Sequence, residues 1–140
     1  MTNKKRTTVY VAGASAERAK RAKPVMAALS RAGYVITHDW TEAVDMHGAN
    51  NEHGQLTPAD LEECAIADFY GVKTADIVVL LSPEGPSTGA WAELGMALAF
   101  RCQVLIAGKC DHCIFSWLPQ CRRFDTDAAL VEFMTNWSDR

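Results

Sequence analysis

The sequence lacks a long hydrophobic run. Its longest clean apolar stretch, Ile77 to Leu81, falls far short of the roughly 20 residues of a membrane span. It also lacks the apolar core of an export signal near its start, so the expected compartment is the cytoplasm. Basic excess is missing as well: 14 Lys and Arg stand against 17 Asp and Glu, a formal net charge of −3. Proteins that grip nucleic-acid polymers normally carry a basic excess on one face, so neither such a polymer nor a membrane is expected as partner. The one basic cluster, Lys4, Lys5 and Arg6 followed by Arg18, Lys20, Arg21 and Lys23, reads as a solvated tail and helix face. No GxxxxGK[ST] loop and no complete GxGxxG fingerprint occur, which argues against a P-loop NTPase and a dinucleotide-dependent dehydrogenase. Internal repeats and low-complexity stretches are absent too.

What is present fits one globular domain spanning residues 1–140, with 49% apolar and 22% charged residues. A chain of this size can bury enough surface to fold without a disulfide or a metal. Its five cysteines are an odd number with no export signal, which argues against a disulfide framework. Cys110-Asp111-His112-Cys113 has metal-like spacing, but Cys102 and Cys121 each lie eight positions from the nearest member of that pair. Structural zinc sites usually add a second close pair. No metal and no cofactor are therefore expected.

The chain reads as alternating strands and helices. Thr7 to Gly13 is β-rich and ends at glycine; Ser15 can cap the helix that follows. Ala22, Val25, Met26 and Leu29 recur at helical spacing, with Pro24 expected either to kink that helix or to restart it. Gly33 ends it, and Tyr34 to His38 is a second strand. Asp39 to Thr57 reads as a long polar loop of the kind that serves as a lid or binding loop. Thr57 caps the next helix, with Pro58 at its first position and Leu61, Cys64, Ala65 and Asp68 along one face. Ile77 to Leu81 suits a parallel strand buried on both faces. Ala90 to Phe100 is helical, Gln103 to Gly108 is a strand, and Cys121 to Phe124 is a short fifth strand. Asp125 or Thr126 caps a final helix, whose apolar face is Leu130, Phe133, Met134 and Trp137. This alternation predicts an α/β fold, an open parallel five-stranded sheet with helices on both faces. Such sheets bind ligands at the carboxyl ends of their strands, where the strand order reverses.

Glu93 is the most informative residue. It is the one charge between Thr88 and Phe100. A carboxylate on an apolar helix is costly to bury unless paired or hydrogen-bonded, and burial raises its pKa, as in many catalytic carboxylates. A structural glutamate at a packing gap or a chain contact is the alternative. Asp68 lies on the preceding helix among apolar neighbours. Asp76, directly before a strand, reads as a turn or cap residue. Tyr10, in mid-strand, needs a partner for its hydroxyl if buried; either Glu93 or a backbone carbonyl could supply it. Gly13-Ala14-Ser15 and Ser87-Thr88-Gly89 are candidate anion-binding turns with outward N–H groups. Trp40 could stack on a base or pack against the sheet edge, and His38 or His47 could hydrogen-bond a base.

Val9-Tyr10-Val11-Ala12-Gly13, Asp68 eight residues before Asp76, and Ser87-Thr88-Gly89-Ala90-Trp91-Ala92-Glu93-Leu94-Gly95-Met96-Ala97 together resemble the nucleoside 2-deoxyribosyltransferase family, which includes the 2′-deoxynucleoside 5′-phosphate N-hydrolases. The resemblance runs from about Val9 to Ile106. It implies a flavodoxin-like (Rossmann-like) sheet and cleavage of an N-glycosidic bond. It makes Glu93 the nucleophile at the anomeric carbon, Tyr10 the residue that orients it, and Asp68 a contact to the sugar or a proton source for the leaving base. Gly13, Ser15, Ser87 and Gly89 become substrate-binding positions; the Asp39 to Thr57 segment matches no family motif, and Trp40 joins them only on its own reading as a side chain able to stack on a base. Many deoxyribosyltransferases carry an aspartate six residues before the nucleophile, where this chain has Ser87, as the nucleotide hydrolases do. A serine can donate to a 5′-phosphate that an aspartate would repel. The phosphate-binding serine after the N-terminal glycine is Ala14 here, with Ser15 one place later.

The resemblance also implies a homodimer or larger homo-oligomer, with the stretch from His112 to Trp117 a candidate for reaching across. The expected activity is cleavage of a nucleoside or nucleotide with transfer of the sugar to water or another base. A non-catalytic nucleotide-binding or sensor domain on the same fold is the alternative.

Overall fold

The computed structural model describes residues 4–13, 16–47, 54–84, 87–110 and 113–137. The elements run β1 (Thr8–Ala12), α1 (Ala16–Arg31), β2 (Val35–Ile36), α2 (Thr41–His47), α3 (Pro58–Lys73), β3 (Ile77–Leu81), α4 (Thr88–Ala99), β4 (Gln103–Ala107), a 3-10 turn (Ile114–Trp117), β5 (Cys121–Phe124) and α5 (Asp127–Trp137). All strand pairs are parallel, in the order β2-β1-β3-β4-β5. This is the flavodoxin-like order, with its reversal between β1 and β3. Right-handed crossovers place α1 and α5 together on one face and α3 and α4 together on the other.

β3 is buried along its whole length and β1 and β4 nearly so, which explains their continuous apolar runs. Leu29, Leu80, Leu94, Leu105, Ile106, Leu130 and Met134 fill the space between sheet and helices. Asp76 fastens the start of β1: its carboxylate accepts from the Thr8 N–H at 2.9 Å and the Thr8 hydroxyl at 3.0 Å. At the other end Arg21, on α1, donates to the carbonyls of Ser82 at 2.8 Å and Ala107 at 3.1 Å, and pairs with Asp127 of α5 at 2.6 Å. One guanidinium thus ties the ends of β3 and β4 to two helices.

The structure departs from the sequence reading at two elements, α2 and β2. Residues 41–47 form helix α2 rather than loop. Asp39 accepts the Thr41 N–H at 2.9 Å, and Trp40 and Val44 pack toward the core, so the polar composition hid a capped, anchored helix. Helix α1 runs through Pro24 without restarting; Pro24 and Lys20 are both exposed, so the Lys20 carbonyl that loses its partner faces water. Strand β2 is only Val35–Ile36, because beyond it the Thr37 hydroxyl turns to the Gly71 carbonyl at 2.7 Å. On α3, Leu61 and Ala65 are exposed and Cys64 and Asp68 half-buried; within the helix only Gly71 and Val72 are buried. The helix is pinned at its start by a capping box of Thr57 and Asp60, and reaches the core with its last turn. Thr126 accepts from the Ala129 N–H at the start of α5.

Arg21→Met keeps the aliphatic stem and removes the donors. It is expected to destabilise the protein by about 1–3 kcal/mol, read as a lower urea midpoint at unchanged denaturant dependence.

Candidate functional site

The order reversal places the ends of β1 and β3 side by side, with loops leaving toward opposite faces. Gly13 closes β1 at φ +144°, a conformation that a side chain would strain. Ser82 follows β3, buried, its hydroxyl donating to the Lys109 carbonyl. Ser87 is the N-cap of α4 in extended conformation, yet its side chain makes no capping hydrogen bond. The hydroxyl is not spent on its own helix. A Cβ at Gly89 would meet no atom within 4 Å, so the first turn of α4 is open on that side.

Beneath this edge, on the α3–α4 side of the sheet, four side chains converge. Tyr10 extends from the middle of β1 and is fully buried; Glu93, one turn into α4, is 6% exposed. The Tyr10 hydroxyl and Glu93 Oε2 are both sealed from solvent, and neither makes a hydrogen bond of normal geometry. They still lie within each other's electrostatic reach. Burial pushes Glu93 up to about 8; the Tyr10 hydroxyl opposes that rise and the charge of Asp68 adds to it. Burial also raises Tyr10, with Glu93 and Asp68 adding to it. A protonated tyrosine beside a carboxyl that titrates near neutrality is a donor waiting for charge to form.

Asp68, on the face of α3 toward β1, is paired with His38 at 3.3 Å between Oδ1 and Nε2; both side chains are about one-third exposed, at 37% and 32%. Burial raises the Asp68 carboxyl and His38 partly offsets this. The pair therefore couples the buried Glu93–Tyr10 centre to a more open rim. From the sequence, His38 stood only as one of two histidines able to touch a base. No spacing signal linked it to Asp68, because the link runs through the pairing of β2 with β1 and the docking of α3.

Trp40 takes the second of its two readings. It is 2% exposed, and its indole N–H donates to the Val11 carbonyl at 2.6 Å, so it braces β1 instead of standing free to stack on a base. The reason is that β2 ends early and turns the chain back over β1. Ala14, Ser15, Asp111 and His112 lie outside the described residues, as does the side chain of His47. All five cysteines are free thiols. Among the described residues no group of His, Cys, Asp and Glu is placed to hold a metal ion. Among the same described residues no helix is long and apolar enough to cross a membrane.

The sequence matches no known protein-family profile and no curated protein. Its fold is similar to the solved structure of the CMP N-glycosidase BcmB of Clostridium botulinum, with a TM-score of 0.62 over 94% of this chain and 99% of that one, at 14% sequence identity. That likeness establishes the shared α/β architecture.

The site's titration sets a stability profile. Glu93 holds its proton more tightly in the folded chain, near 8, than at its ordinary 4.5. The stability that Glu93 contributes is therefore fullest below about pH 4.5 and declines as pH rises toward 8, at a limiting slope of about 1.4 kcal/mol per pH unit. Asp68, also raised, acts in the same direction. Asp76, lowered by its bonds from Thr8, acts oppositely: its contribution is present above its ordinary 3.8 and is lost as pH falls below that. Glu93→Gln should flatten the decline toward pH 8 in urea-midpoint measurements.

Proposed function

We propose that the protein cleaves the N-glycosidic bond of a nucleoside 5′-monophosphate, with Glu93 as nucleophile. The observation that carries this reading is the buried carboxyl of Glu93 facing the buried hydroxyl of Tyr10, both with unsatisfied oxygens, at the crevice where strand order reverses. A carboxylate so placed has no structural return for its burial, whereas a transition state of oxocarbenium character would supply the missing positive charge. The resemblance read from the sequence and the N-glycosidase named for the similar fold both support this chemistry.

In the first step Glu93, ionised, attacks the anomeric carbon as the bond to the base nitrogen breaks. The base leaves with the bonding electrons and takes a proton from Asp68, which His38 holds in place and can recharge. Tyr10 donates to Glu93 and keeps one oxygen aimed at the sugar. Water then attacks the glycosyl ester, gives a proton to Asp68, and releases Glu93. Ser87, with its hydroxyl unspent, and the open first turn of α4 receive the 5′-phosphate, with Ser15 a further contact that the resemblance implies. A free base in place of water would make the same intermediate the donor in a transfer.

Incubation with a panel of nucleosides and 5′-monophosphates, with and without added free base, decides the reaction. Free base plus sugar phosphate indicates hydrolysis; a new nucleotide indicates transfer. Glu93→Gln should lower base release by at least about 10³-fold while leaving a cooperative unfolding transition. Because the first step needs Glu93 ionised and Asp68 protonated, kcat/KM of the wild-type protein should trace a bell in pH, its two limbs set by these raised carboxyls. Turnover that survives Glu93→Gln would remove the nucleophile assignment.

A second copy of the chain completes the site in this reading. Helices α3 and α4 cover one face of the sheet but leave apolar surface uncovered. Leu61, Ile66 and Tyr70 on α3 are 39%, 49% and 52% exposed. On α4, Ala92, Gly95 and Ala99 are exposed and Met96 half-exposed, at the spacing of one helix face. Ile114, Phe115 and Trp117 of the 3-10 turn are exposed as well. A charge-free outer helix face of this kind is an interaction surface. Sedimentation should show a dimer. Gly95→Lys, at a position with no neighbouring atom within 4 Å, should split it without unfolding the monomer.

A further inference from the structure

Gly71 sits near the end of α3, three positions after Asp68 and one turn along the same helix. Glycine is disfavoured inside helices, and Gly71 is not among the residues of positive φ. Backbone geometry therefore does not call for it. Space does. A Cβ at Gly71 would lie 2.8 Å from Tyr10 Cδ2, 2.9 Å from Tyr10 Cε2 and 3.0 Å from His38 Cβ. These distances are inside van der Waals contact. The Tyr10 ring is fully buried and has no free volume to swing into. His38 cannot yield easily either, since the atom approached is its Cβ and the neighbouring Thr37 hydroxyl is bonded to the Gly71 carbonyl at 2.7 Å.

We infer that Gly71 is a positioning residue: its missing side chain lets α3 press on the Tyr10 ring and on His38 at once, and so sets Tyr10 against Glu93 and His38 against Asp68. Asp68 belongs to the same helix, so any retreat of α3 opens both pairs together. The roles of the four side chains rest on the proposed glycosidase reading, whereas the packing that Gly71 permits does not.

Gly71→Ala adds one methyl group and improves local helix propensity, so a purely local role predicts a protein as stable and as active as the wild type. A positioning role predicts a folded protein whose kcat falls on the order of 10²-fold with KM little changed, and whose kcat/KM–pH profile is displaced. NMR of the ligand-free protein with 13C-labelled glutamate carboxylates supplies a readout independent of turnover: the Glu93 titration midpoint should move in Gly71→Ala. A wild-type midpoint with wild-type kcat would overturn the inference. If the wild-type chain turns over no nucleotide, the glycosidase reading falls, and the NMR titration alone decides the positioning claim. Should Gly71→Ala fail to fold, Tyr10→Val is compared with Tyr10→Val/Gly71→Ala. Valine lacks the two ring carbons that the methyl would strike and leaves only the His38 contact, so Gly71→Ala should be tolerated better in the Tyr10→Val background than in the wild type. A Gly71→Ala penalty as large in the Tyr10→Val background as in the wild type would show that the Tyr10 ring is not what the methyl strikes, and would overturn the inference.

Discussion

The carboxyl of Glu93 sits in a place where its charged form is penalised, and the surrounding fold is arranged about that penalty. The Tyr10 hydroxyl lies within its electrostatic reach and is itself without a hydrogen-bond partner. Neither group relieves the other fully, and Asp68 adds a further like charge. The result is a centre that is electrostatically unfinished. A ligand bearing partial positive charge would meet carboxylates on two sides without displacing an existing salt bridge from Glu93. This is ground-state preorganisation of the kind that electrostatic catalysis requires.

The placement follows from topology more than from local sequence. Tyr10 lies on β1, Asp68 on α3 and Glu93 on α4, and all three meet because the crossovers from β2 to β3 and from β3 to β4 return over the same face. The opposite face carries the mechanical load. There α1 and α5 are joined by Arg21 and Asp127, and the same guanidinium holds the strand ends from which the site loops depart. The buried carboxyl and the bracing ion pair are thus divided between the two faces.

Much of this was legible in the chain. The uninterrupted apolar run Ile77 to Leu81 announced a central parallel strand, and the α/β alternation announced the sheet. The lone Glu93 on an apolar helix stood out because a buried charge is costly whatever the context. Thr57-Pro58 marked a helix start by local chemistry alone, and the capping box formed there. What could not be read depended on contacts between distant segments. The helix at Thr41–His47 was masked by its polar outer face. The burial of Trp40 depends on a carbonyl 29 positions earlier. The link between His38 and Asp68 spans two elements that have no pattern in common. Gly71 was silent for a similar reason: a glycine in a helix looks like a weakness until the ring that occupies its missing side chain is known.

The Arg21–Asp127 bridge also bears on the order of events during synthesis. Its two ends are separated by 106 positions, and the guanidinium holds the carbonyls of Ser82 and Ala107 in the same grip. While the ribosome has delivered only β1 to β4, Arg21 lacks its carboxylate, and the strand ends that carry the site have no clamp from α5. Contacts of such long sequence separation form late. The strand ends above Glu93 therefore acquire their final rigidity only after α5 has docked, so a nascent chain can hold a nearly complete sheet well before these ends are fixed.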